Sequence, residues 1–319
     1  MRSPHAGLVL PCIALLLLAA LPGMAAPVGQ DPYTQEVDHV YATIDGKDFH
    51  MDIFVPTGEN RHAFYKPNDN GKGLAIIDII SGGWSSARAR LDEHKGFQVF
   101  GIFCARGYTV FAVRPGTRGE YPVSDMPGHV KRAIRYIKAN ADKYGIDPDH
   151  IGLMGASAGG HLALMTTLTA EPGNPDAEDP LLRQDTEVAA TGVFFPPTDF
   201  LNWEGKDHAE VGELIGDALF PHDYAQRSQE EFLDEARKAS PIQHIKKVRA
   251  PFLFIHGDAD PVVPLSQSEI MIEALEKAGN ETGLIVKKGG AHPWITMPEE
   301  ILQLADWFDA QLAGAGKQE

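Results

Sequence analysis

The chain has 319 residues, 43% of them hydrophobic and 23% charged, and carries a formal charge of −16 at pH 7. This length and apolar content suit one large globular domain, and the acidity speaks against nucleic acid and anionic membrane surfaces as partners. It favours a soluble protein acting on neutral substrates.

At the start of the chain, Arg2 precedes an apolar run from Leu8 to Leu21, and Gly23-Met-Ala25-Ala26 offers small residues for a cleavage site. The run is too short for a membrane span and lacks a stop-transfer flank. Residues 1–25 are therefore expected to be a signal peptide, cut after Ala25 or Ala26. Residues 26–319 would then be the folded domain, secreted or periplasmic, with no membrane anchor in its mature form. Cys12 falls inside the signal, too early in the apolar run for a lipoprotein reading. That leaves Cys104 as the only cysteine, so an intrachain disulfide is excluded. In Phe100-Gly-Ile-Phe-Cys104-Ala-Arg106 it reads as a small buried apolar residue.

Val37 to Val55 alternates apolar and polar residues around Asp45-Gly46, the pattern of a β-hairpin. Beyond Pro67-Asn-Asp-Asn-Gly71 the rhythm changes. Strands are expected at Leu74–Ile80, Tyr108–Val113, Ile151–Met154, Ala189–Phe195, Pro251–Ile255 and Leu284–Val286. Helices are expected at Glu93–Arg106, Met126–Tyr144, Ser157–Leu168 and Ser266–Ala278. Near-continuous apolar strands alternating with helices mean a mostly parallel sheet covered on both faces. The exception is Asp199 to Val248, which has helical patches and two aromatic clusters but no strand. It reads as a cap insertion, residues 199–248, over the strands' C-terminal ends.

Chemistry concentrates in Ile151-Gly-Leu-Met-Gly155-Ala-Ser157-Ala-Gly159-Gly-His161. A strand, one sharp Gly-x-Ser-x-Gly turn and an immediate helix make a nucleophile elbow, with Ser157 at the apex in a strained conformation. A Cβ at Gly155 or Gly159 would clash with the neighbouring strand and helix. The N–H of Ala158, at the new helix's N-terminus, is aimed where an oxyanion would form. A serine needs a base, and the base an orienting acid, found downstream in that fold in the order serine, acid, histidine. Phe252-Leu-Phe-Ile-His256-Gly-Asp258-Ala-Asp260-Pro places two acids just past a buried strand. Asp260 is preferred, and Asp258 is expected to satisfy turn N–H groups instead. His292, in the loop Lys288-Gly-Gly-Ala-His292-Pro-Trp294, is the expected base. His256 reads as a brace for its turn, and His161 as a residue packed or bonded to backbone. The second oxyanion donor is sought after the first parallel strand, in Ser81-Gly82-Gly83-Trp84. Gly83 N–H comes first and Trp84 N–H second, with the Trp84 side chain lining the substrate site. Trp203, Phe220 and Tyr224 in the cap suit sugar stacking and apolar packing equally, and Trp203 is the substrate-binding candidate. No metal and no cofactor is expected.

Gly-Ala-Ser157-Ala-Gly-Gly-His161-Leu-Ala, preceded by Tyr144-Gly-Ile-Asp-Pro148-Asp-His-Ile151, resembles the α/β-hydrolase esterases of the hormone-sensitive lipase group. It resembles still more closely secreted bacterial carbohydrate acetyl or feruloyl esterases. His256-Gly-Asp-Ala-Asp260-Pro-Val-Val-Pro264 is similar to the acid loop of the same superfamily, prolyl oligopeptidases included. The similarity runs from about Val37 to the C-terminal helix. It implies an α/β-hydrolase fold with nucleophile Ser157, acid Asp260 and base His292. Relatives usually carry His-Gly-Gly in the oxyanion loop. Ser81 stands in place of that histidine here, which leaves the loop's anchoring open.

The expected activity is a carboxylesterase for short acyl groups, acetyl groups on carbohydrate among them, acting on a small-molecule or carbohydrate ester. A peptidase of prolyl oligopeptidase type is the second reading. The stretch before the first parallel strand is too short for the β-propeller those enzymes carry. A non-catalytic binding protein on a hydrolase scaffold is the third.

Overall fold

The computed structural model describes residues 31–59 and 63–313. The expected signal segment and Cys12 lie outside the described residues. The first two strands, β1 (Tyr33–Ile44) and β2 (Lys47–Pro56), form the expected hairpin around Asp45-Gly46, both in positive-φ conformations. After β3 (Ala75–Ile79) come two helices, α1 (Arg88–Gly96) and α2 (Val99–Ala105), where a single helix was expected. Gln98 separates them in a left-handed conformation with φ 64°. The division follows exposure: α1 buries only Leu91, whereas α2 buries every residue, Cys104 included. An all-apolar turn of helix must sit wholly inside, so the chain has to change direction to put it there.

Strand β4 (Thr109–Val113) leads to α3 (Met126–Ala139) and the short α4 (Ala141–Tyr144). One long helix was expected here too. It is interrupted at Asn140, whose side-chain amide donates to Tyr136 O at 2.8 Å. Then follow β5 (Ile151–Ala156), α5 (Ala158–Leu168), β6 (Ala190–Phe194), α6 (His208–Leu219), α7 (Gln229–Ala239), β7 (Phe252–Gly257), α8 (Ser266–Lys277), β8 (Thr282–Lys287) and α9 (Met297–Leu312).

The sheet order is β1-β2-β4-β3-β5-β6-β7-β8. β1, β2 and β4 pair antiparallel, and every pair from β4–β3 to β7–β8 is parallel. Alternating side chains leave the sheet on opposite faces. Ile77, Ile79, Phe111 and Leu153 join a core with α3, α5 and α8, while Ile76, Val110, Ala112 and Met154 join one with α2 and α9. This is the α/β-hydrolase arrangement. The edge strand β8 departs from the buried pattern expected of these strands, exposing Leu284 and Val286. Between β6 and β7 no strand occurs among the described residues. Instead α6 and α7 each begin with a reciprocal capping box, Asp207 with Glu210 and Ser228 with Glu231, a local signal strong enough to start helices on an insertion.

Candidate active site

Ser157 sits between β5 and α5 with φ 53° and ψ −120°, a conformation that costs a non-glycine residue about 1–3 kcal/mol. Its neighbours impose that conformation. Ser157 N–H donates to Phe194 O at 2.8 Å, His161 N–H to Ser157 O at 2.9 Å and Gly159 N–H to Ser81 O at 3.0 Å. A Cβ on Gly155 would lie 2.4 Å from the carbonyl carbon of Gly159, and one on Gly159 would lie 2.5 Å from Ile79 O. Only glycine lets helix and strand meet this closely.

Two loops at the same C-terminal end of the sheet reach the serine. The loop after β7 carries Asp258 and Asp260, and the loop after β8 carries His292. They are laced together: Asp258 N–H donates to Lys287 O at 3.1 Å and Ala259 N–H to Gly290 O at 3.0 Å, while the Asp258 carboxylate accepts the Gly289 N–H. His292 Nδ1 lies 2.6 Å from Asp260 Oδ2, and His292 Nε2 lies 2.9 Å from Ser157 Oγ. A carboxylate only accepts, so Nδ1–H donates to Asp260 and Nε2 is left to accept from the serine hydroxyl. This chain of hydrogen bonds is able to draw a proton from the serine as its oxygen attacks an electrophile. Phe195, a residue to which the sequence assigns only a strand end, packs its ring 4.4 Å from the His292 ring, centroid to centroid.

The Asp260 side chain is fully buried. Burial works to raise its carboxyl, but the His256 imidazole 3.6 Å away, the hydrogen bond and charge of His292 and the Val263 N–H outweigh it and hold the group at about 2. Its other oxygen accepts the N–H groups of Val262 at 2.8 Å and Val263 at 3.0 Å. His256 is completely buried, with Nδ1 2.8 Å from Ser268 Oγ and Nε2 2.9 Å from Val263 O. It braces the acid loop. Asp258 faces the histidine loop and bonds to none of the three.

After β3, Gly82 and Ser85 exchange two backbone hydrogen bonds of 3.0 Å each, with Gly83 (φ 55°) and Trp84 (φ 57°) at the corners. Two positive-φ corners make a type I′ turn. Among the described residues, neither the Gly83 nor the Trp84 N–H has a partner. The first N–H groups of α5, Ala158 among them, have no partner within their own helix. The turn is anchored without a histidine at position 81. Ser81 O holds Gly159, Trp84 O accepts the Arg118 N–H at 2.7 Å, and Ser86 Oγ donates to Gly116 O at 2.7 Å. The Trp84 indole points into the core, where its Nε1–H donates to His161 Nδ1 at 3.2 Å. Trp203 is 7% exposed and stacks on Phe200, which leaves little of its ring open to a ligand.

The family model described as BD-FAE matches residues 63–275. The probable carboxylic ester hydrolase LipM of Mycobacterium tuberculosis is 28% identical over 66% of this chain and 47% of its own length. The acetylxylan esterase of Xylanibacter ruminicola is 25% identical over 75% of this chain and 46% of its own. The chain thus spans about half the length of the curated relatives it matches. Among solved structures, esterase Est2 of Thermogutta terrifontis with propionate bound superposes with a TM-score of 0.61 at 27% identity, covering 85% of this chain and 92% of that one.

Proposed function

This chain belongs to the BD-FAE family, and we propose that it is a serine carboxylic ester hydrolase for short acyl groups, acetyl esters of carbohydrate among its substrates. The observation that carries the reading is the unbroken hydrogen-bond chain Ser157–His292–Asp260. In the proposed reaction Ser157 Oγ attacks the ester carbonyl while His292 Nε2 takes its proton. The carbonyl oxygen becomes an oxyanion, held by the N–H groups of Gly83 and Ala158, with Trp84 N–H as the further donor. His292 then returns the proton to the leaving alcohol as the C–O bond breaks. Water, deprotonated by the same imidazole, releases the carboxylic acid and restores the serine. Asp260 keeps the imidazole in the tautomer that accepts from serine and stabilises the imidazolium that forms. The names of relatives, an acetylxylan esterase and an esterase holding propionate, support the small acyl group. The leading segment with its apolar run supports export to the periplasm or the medium, which N-terminal sequencing of the mature protein checks.

Hydrolysis of p-nitrophenyl acetate, propionate and butyrate tests the reading, alongside acetate release from acetylated xylan and Ser157 labelling by a fluorophosphonate. Turnover and labelling are both expected, and both should vanish in Ser157→Ala. No turnover of any acetyl to butyryl ester, or a Ser157→Ala variant as active as the unmodified chain, overturns it.

A further inference from the structure

Trp84 belongs to two parts of the molecule at once. Its backbone forms one corner of the Gly82–Ser85 turn, and its indole reaches the elbow helix. There it meets His161, one turn beyond Ser157 and completely buried. Trp84 Nε1 is 3.2 Å from His161 Nδ1, and His161 Nε2 is 2.7 Å from Ala239 O, the last residue of α7 in the cap. An indole N–H can only donate and a carbonyl can only accept. The imidazole between them must therefore be neutral, with its single hydrogen on Nε2. Phe200 closes the pocket, its ring 5.8 Å from Trp84 and 5.3 Å from His161. One imidazole thus joins three elements distant in the chain: the turn, the elbow helix and the cap. The turn needs such an anchor, because Trp84 occupies a left-handed conformation that costs a residue with a Cβ about 1–2 kcal/mol.

We propose that His161 is a positioning residue for the reaction. Through the Trp84 indole it holds the turn that carries the oxyanion donors, and through Ala239 it ties that turn to the cap. The inference rests on the esterase reading above. A turn released from this anchor still admits substrate but meets the developing oxyanion poorly, so the loss falls on kcat and not on KM.

The test compares Trp84→Phe, which keeps an aromatic ring but removes the N–H, with His161→Leu, their double variant and His161→Gln. Turnover of p-nitrophenyl acetate is expressed per active site titrated with a fluorophosphonate, so misfolded protein does not count. Each of the first two variants is expected to lose about tenfold to a hundredfold in kcat with KM changed less than about threefold. The double variant is expected to be no worse than the poorer single one, because both cut the same link. His161→Gln, whose amide accepts from Trp84 and donates to Ala239, should recover most of the loss. A merely structural role predicts a lower melting temperature with unchanged kcat per titrated site. Trp84→Phe at full kcat overturns the proposal even if His161→Leu does not fold, as do additive losses in the double variant. An unmodified chain that neither labels nor turns over any ester removes the esterase reading itself, and this inference with it.

Discussion

Replacing Asp260 by asparagine separates geometry from charge in the candidate triad. The carboxylate serves two sides: one oxygen accepts the N–H groups of Val262 and Val263, the other the imidazole N–H of His292. The amide in Asp260→Asn has one acceptor and one donor, so only one side can be satisfied. Turning its NH2 group to the backbone would leave two N–H groups without partners, at about 1–3 kcal/mol each. The favoured arrangement keeps the amide oxygen on Val262 and Val263 and sets its NH2 group against His292. The imidazole must then carry its hydrogen on Nε2, where it meets Ser157 as a donor and cannot accept the serine proton. The same tautomer error in a serine protease lowers kcat about 10⁴-fold, or about 5.5 kcal/mol of barrier at roughly 1.4 kcal/mol per decade, and a loss of that order is expected here. Asp258→Asn keeps an oxygen for the Gly289 N–H and loses only the charge on that bond, so kcat should stay within about threefold. Both variants are assayed on p-nitrophenyl acetate, with circular dichroism to establish folding. A folded Asp260→Asn within tenfold of the unmodified chain beside a crippled Asp258→Asn would refute the assignment of the acid.

Gly159→Ala places a methyl group 2.5 Å from Ile79 O, a backbone atom that cannot step aside, and should cost roughly 3 kcal/mol of stability. Urea unfolding at an unchanged midpoint would rule out the close packing on which the elbow depends. Arg106 is fully buried and pairs with Asp306 at 2.7 Å and Asp309 at 2.9 Å, pinning α9 to the end of α2. Arg106→Met should therefore destabilise by about 3–5 kcal/mol, because Asp309 loses its cation while itself largely enclosed; calorimetry reads the shift. Burial first, with His244 adding to it against the Ala239 hydrogen bond, lowers the His161 imidazole to about 4. Its folded value lies below the unfolded one of about 6.5. The unfolded chain thus binds the proton first, and stability should be full above about pH 6.5 and fall by about 3 kcal/mol on the way to pH 4. Unfolding free energies across that range should show a shallower fall in His161→Gln than in the unmodified chain, and parallel profiles would contradict the buried neutral imidazole.

What the amino-acid sequence determines by itself here is whatever depends on neighbours along the chain. The hairpin follows from alternation around Asp45-Gly46. The parallel sheet follows from apolar runs spaced by helices, and the elbow from glycines two residues either side of Ser157. The helices between β6 and β7 carry the same kind of local signal, since Asp207 with Glu210 and Ser228 with Glu231 are three residues apart. The order serine, acid, histidine is legible for the same reason: each sits on a recognisable strand end. Periodicity does not mark the breaks at Gln98 and Asn140, because the apolar pattern runs on while the chain turns to suit burial. Only the folded chain brings Asp260, and not Asp258, against His292. Local turn chemistry already favours Asp260 over Asp258, but the contact itself needs the lacing of two loops, which turns Asp260 toward the imidazole and Asp258 toward Gly289. The link from Trp84 through His161 to Ala239 spans 77 and 78 residues of chain. No local pattern encodes it, because the partners of a buried imidazole are chosen by which donors and acceptors the packed layers leave facing it.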